Sequence, residues 1–113
     1  MTENVQNLKG KIREVIEEIF LKSKISLKEI IIFGSWARGS VNLESDIDLL
    51  VIVADEISKE QKKELWRELH RGFHQLFPLT PFDVIIKTKA DFENEKHTVN
   101  TISNEAYLDG IRI

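Results

Sequence analysis

Two short apolar runs bracket a polar turn and dominate what this chain can become: Ile30-Ile31-Ile32-Phe33 before it, Leu49-Leu50-Val51-Ile52-Val53 after it. Runs of this length bounded by turn residues read as strands covered on both faces. Between them lies Gly34-Ser35-Trp36-Ala37-Arg38-Gly39, a polar loop, and then Asp46-Ile47-Asp48. Carboxylates set at the mouth of a buried strand are costly unless something positive compensates them. A divalent cation is the natural compensation, because carboxylate oxygens are its preferred hard ligands.

Spacing then constrains topology. Asp46 and Asp48 lie two apart on a strand, so both project from one face, roughly 6 to 7 Å apart. Gly34-Ser35 closes the first strand while the aspartates open the second, so the two meet only if those strands are antiparallel. Asp83 opens a third run, Phe82-Asp83-Val84-Ile85-Ile86. It reaches the same edge if its strand runs parallel to the second, which requires a crossover. The stretch 58–77 is long enough to supply one. Ser58-Lys59-Glu60-Gln61 has capping-box spacing, and Leu65, Trp66, Leu69, Phe73, Leu76 and Phe77 form an apolar stripe. Trp66 and Phe73 are expected in the core.

The rest of the chain fits around this centre. Residues 4–22 place Val5, Leu8, Ile12, Val15, Ile16, Ile19 and Phe20 at helical spacing, and Ser23–Ser26 form a connection. Strands are expected at 28–33 and from about Asp46 to Val53, with a short helical turn through Ala37 and Arg38. Pro78 and Pro81 bracket the break before the third strand. Thr88-Lys89-Ala90-Asp91 starts a short helix, and a last helix over 99–108, with Val99, Ile102 and Ala106 on one side, ends at Gly110. The order α-β-(α)-β-α-β-α-α predicts an α/β (α+β) fold, a small mixed sheet flanked by helices, as a single domain over residues 1–113.

Composition excludes several functions. Of 113 residues 42% are hydrophobic and 31% charged, an ordinary globular balance, and the formal charge is −3, which gives no general affinity for nucleic acid. With no cysteine there is no disulfide, thiolate nucleophile or cysteine zinc site. No apolar run approaches membrane length and no secretory leader is evident, so a cytoplasmic location without membrane contact is expected. An EF-hand is excluded because Leu50 and Val53 stand where oxygen ligands would be needed. His70 and His74 lie one helical turn apart, but Arg71 occupies the position of a metalloprotease glutamate; a surface or half-buried role is expected for both. Lys87 is expected at a solvated strand end.

A glycine turn leading toward a helix start offers backbone N–H groups to phosphates. Carboxylates binding a metal beside a bound triphosphate would neutralise charge and align an attacking hydroxyl with a pyrophosphate leaving group. Gly34-Ser35, ten residues, then Asp46-Ile47-Asp48, with a later Asp83, resembles the DNA polymerase β-type nucleotidyltransferase superfamily. Ala37-Arg38-Gly39 and Ser45-Asp46-Ile47-Asp48-Leu49 strengthen the likeness to its minimal nucleotidyltransferases, with a polymerase β palm-like fold. That resemblance implies Mg²⁺ as cofactor, ATP as substrate, and transfer of AMP to a tyrosine of a partner HEPN-type ribonuclease toxin, with the chain as antitoxin in a hetero-oligomer. It implies Asp46, Asp48 and Asp83 as metal-binding and catalytic residues, and Gly34, Ser35 and Arg38 as triphosphate contacts. Trp36 departs from the polar or basic residue many relatives carry. Two other readings stand beside it: a catalytically idle antitoxin that acts by binding alone, and a small-molecule (antibiotic) nucleotidyltransferase, for which acceptor-binding elements are lacking.

Overall fold

A computed structural model describes residues 2–34, 36–37 and 46–113. Helix α1 spans Thr2–Ser23, strand β1 Leu27–Phe33, β2 Ile47–Val53, helix α2 Lys59–Leu76, β3 Phe82–Thr88, α3 Lys89–Glu95, α4 Ile102–Asp109 and β4 Ile111–Arg112. Among the described residues four strands form one sheet in the order β3-β2-β1-β4. The strand β1 pairs antiparallel with β2, and β2 pairs parallel with β3, as the convergence of the aspartates required. The result is the expected mixed α/β architecture.

Alternation along the central strands sorts side chains to two faces. Ile30, Ile32, Leu49, Val51, Val84 and Ile86 pack beneath α1 and α2, against Ile12, Ile16, Leu65, Leu69 and Phe73. Ile31, Phe33, Leu50 and Ile52 pack on the other side against Phe92 of α3 and Ala106 of α4. That two-sided cover explains why β2 reads as a continuous apolar run: all its residues but Asp48 are buried. The close approach of α1 to α2 uses Gly72, where an added Cβ would lie 2.9 Å from Val15 Cγ1.

The capping box at α2 is present in full. Ser58 Oγ accepts from the Gln61 N–H at 3.0 Å, and Gln61 Oε1 accepts from the Ser58 N–H at 2.8 Å. Thr88 caps α3 by accepting from the Asp91 N–H at 3.1 Å.

Several expectations are corrected. Trp66 is 47% exposed rather than in the core, because it lies at the border of the α2 stripe and reaches over the sheet edge. There its indole Nε1–H donates to the Val84 carbonyl at 3.2 Å, capping one acceptor of the edge strand β3. Leu76 is exposed in the last turn of α2. The last helix begins at Ile102, with Thr101 as its cap, and leaves Val99 outside it and exposed. The short strand β4 was not expected; it pairs with Ile31 and Ile32, and the Ile113 N–H donates to the Ile30 carbonyl at 3.0 Å. Trp66→Phe removes one half-exposed hydrogen bond while keeping a ring, so a loss of about 1 kcal/mol in denaturant unfolding is expected.

Lys87 is also not solvated as expected. Its Nζ lies 2.9 Å from Glu95 Oε1, which accepts in addition from Ser103 Oγ at 2.9 Å, tying β3 to α3 and α4. The Lys87 ammonium, and after it the Ser103 hydroxyl, hold the Glu95 carboxyl below the usual glutamate value. A depressed folded value contributes stability that is present above the unfolded value and lost as pH falls through the folded one. The thermal midpoint should therefore drop on acidification below the ordinary glutamate range, and less steeply for Glu95→Gln. Equal acid slopes in the two proteins would rule this out.

Candidate active site

The end of the sheet where β1 finishes and β2 and β3 begin collects the acidic residues. Asp48 is the second residue of β2 and Asp83 the second of β3, and the two are register partners in the parallel ladder. Neighbouring strands stand about 4.8 Å apart, so these carboxylates leave adjacent backbone positions on one face. It is the face of Leu50, Ile52 and Ile85, the side carrying α3 and α4. Asp46 immediately precedes β2 and is exposed; Asp48 is half-buried and Asp83 exposed. The Ile47 N–H donates to the Pro81 carbonyl at 3.0 Å, which sets the starts of β2 and β3 at one height.

Gly34 meets this group from β1. Phe33 is the register partner of Asp48, and Gly34 follows it, buried, at φ 76°. That is left-handed backbone, open to glycine and strained for other residues. A Cβ at Gly34 would collide with the Asp48 carboxylate. The glycine thus serves both the turn and the space for the acid. Trp36, two residues on, is half-buried and packs against the α1–α2 side of the core, so it anchors the turn. Its indole N–H is buried with no acceptor among the described residues.

Of the six residues singled out in the sequence, Gly34, Asp46, Asp48 and Asp83 are thus brought to one end of the sheet. Ser35 and Arg38 lie outside the described residues. Among the described residues no three His, Cys, Asp or Glu side chains are placed to hold a metal ion together. Carboxylates held near one another repel. The donor set nevertheless suits a hard divalent cation: acids on adjacent backbone positions, oxygen ligands throughout, and a cradle at Gly34 that any larger residue would fill.

One neighbour escaped the sequence reading. His70 of α2 is half-buried, its ring 3.9 Å from that of Trp66. Its Nε2 is buried without a hydrogen-bond partner among the described residues. Burial holds its imidazole below the usual histidine value, and the Asp83 carboxylate offsets part of that. Nothing in the spacing of positions 70 and 83 announces this proximity, which comes from α2 crossing the β3 edge.

The chain matches the nucleotidyltransferase domain over residues 9–108. It is 35% identical over 54 residues to a protein named "Putative protein adenylyltransferase MJ0141" of Methanocaldococcus jannaschii, a stretch covering 48% of this chain and 54% of that one. To "Putative protein adenylyltransferase MJ0604" of the same organism it is 44% identical over 41 residues, 36% of this chain and 41% of that one. The chain thus spans about half the length, or less, of the curated relatives it matches. No described helix is long and apolar enough to cross a membrane. With the matched region running from within α1 to within α4, the chain belongs to the nucleotidyltransferase domain family.

Proposed function

We propose that this protein is a Mg²⁺-dependent nucleotidyltransferase that moves AMP from ATP to a hydroxyl of a partner protein. On this reading the acceptor is a tyrosine of a HEPN-type ribonuclease toxin, and the chain is its antitoxin. The observation that carries the proposal is the in-register pair Asp48 and Asp83 with Gly34 closed against Asp48, inside a chain of this family. The names of the two archaeal relatives favour a protein as acceptor.

Asp46, Asp48 and Asp83 would hold the metal, which when bound neutralises the triphosphate and polarises its phosphorus–oxygen bonds. The backbone at Gly34 and Ser35 would receive the phosphates, with Arg38 as a further contact. Asp83 takes the proton from the acceptor hydroxyl. The hydroxyl oxygen then bonds to the α-phosphorus as the bond to the bridging oxygen breaks, and pyrophosphate leaves.

The test is co-expression with the product of the adjacent reading frame, followed by incubation with ATP labelled at the α-phosphate. Label is expected on the partner, dependent on Mg²⁺. No label from any of the four ribonucleoside triphosphates would sink the transferase reading and leave neutralisation by binding alone.

A further inference from the structure

One face of α2 carries lysines and histidines in a single row. At 100° per residue, Lys59, Lys63, Trp66, His70 and His74 follow one another at steps of 4, 3, 4 and 4, and Arg67 borders the row. The acidic residues Glu60, Glu64 and Glu68 form a separate row. Two of them compensate the arginines, with Glu64 3.1 Å from Arg67 and Glu68 2.7 Å from Arg71. Lys59 and Lys63 are exposed and make no ion pair with any described residue. In a chain of net charge −3, α2 carries five lysines and arginines against three glutamates, a local excess of cations.

The row is also shaped. Lys59, Lys63, Trp66 and Arg67 line a recess of about 440 Å³ along the outer side of α2. His70 and His74, with Pro78 and Leu79, line a second, of about 400 Å³, at its C-terminal end. The tilted ring contact between Trp66 and His70 joins the two. Leu79 is 93% exposed beside the histidines and Trp66 47% beside the lysines, large apolar surfaces along the row. Pro81 and Phe82, which lead into Asp83, line that second recess together with His70 and His74, which places the lower part of the row beside the acidic sheet end.

We infer that this face of α2 docks an acidic, extended segment of the protein that accepts the nucleotide, feeding its hydroxyl toward Asp83. The identity of the docked segment as acceptor rests on the transferase reading; the docking itself does not. Lys59 to His74 spans about 22 Å of helix, matching about seven residues of extended peptide. Carboxylates of the segment meet Lys59 and Lys63, and an aromatic side chain has Trp66 and the Leu79 recess to cover. Complementary charge of this kind steers encounter and fixes register. Nucleic acid suits the face less well, because the chain's overall negative charge opposes a densely charged polyanion and a single exposed tryptophan gives little stacking.

The test is fluorescence anisotropy of a fluorescein-labelled heptapeptide of six glutamates around one tyrosine, titrated with the full chain at low salt, without nucleotide or metal. Saturable binding is expected, weakened at least tenfold by Lys59→Glu with Lys63→Glu and to an intermediate degree by the Gln pair. The counterpart peptide with six lysines should not bind. Both positions are exposed on α2, and circular dichroism of the variants should overlay the wild type. The inference is overturned if the wild type does not bind the peptide, if the Glu pair binds as tightly as wild type, or if a nine-residue oligouridine binds more tightly. Peptide binding without any AMP transfer strikes the transferase reading alone; AMP transfer with no peptide binding strikes this inference alone.

Discussion

Gly34→Ala is expected to lower nucleotide transfer by about 100-fold, the scale of a misplacement of about 1 Å in a reacting group. Two effects add. The new methyl group meets the Asp48 carboxylate, so either the acid swings away or the end of β1 shifts. The backbone at φ 76° must also hold a residue with a Cβ, at a cost of about 1–2 kcal/mol. Because β2 lies between β1 and β3 and is buried along almost its whole length, it cannot move to make room; the displacement falls on Asp48. Transfer of labelled nucleotide and denaturant unfolding measured on the same protein separate the two effects. Transfer at the wild-type rate would mean that the Gly34 turn has no part in the chemistry.

The second large effect concerns the acids. Asp46→Asn together with Asp48→Asn should reduce transfer by about 1,000-fold or more, since a metal supplies several kcal/mol of transition-state stabilisation and each ~1.4 kcal/mol is tenfold. The fold should survive. Asp46 is exposed before β2, while Ile47 and Leu49, fully buried on the opposite face, keep the strand seated. Removing charge from neighbouring carboxylates relieves repulsion. Transfer assays and circular dichroism check both halves of this expectation. A double variant as active as the wild type would remove the metal assignment.

The strand directions were legible in the sequence for a physical reason. Acids at the start of one apolar run and a glycine at the end of another can share a site in few topologies, and the register found for Phe33, Asp48 and Asp83 is of that kind. The apolar runs of β1 and β2 were readable because both their faces are covered. What periodicity could not supply was where the sheet stops. Trp66 and Phe73 lie close together on the helical wheel of α2, yet Phe73 is buried and Trp66 spans the edge of β3. Leu76 and Val99 carry apolar side chains to positions with no sheet beneath them. The two residues of β4 are too few to leave a pattern, and their pairing depends wholly on the neighbouring β1 edge. Lys87 looked solvated because its partner, Glu95, arrives from another element.

The meeting of Asp46, Asp48, Asp83 and Gly34 around one ion can be read directly from paramagnetic broadening of backbone amide signals by Mn²⁺, with a non-hydrolysable ATP analogue present. The amides of residues 34, 46, 48 and 83 should fade first, while those around Leu21, on α1, persist. Broadening centred on His70 and His74, or on the glutamates of α1, with the signals of Gly34 and Asp48 intact, would contradict it.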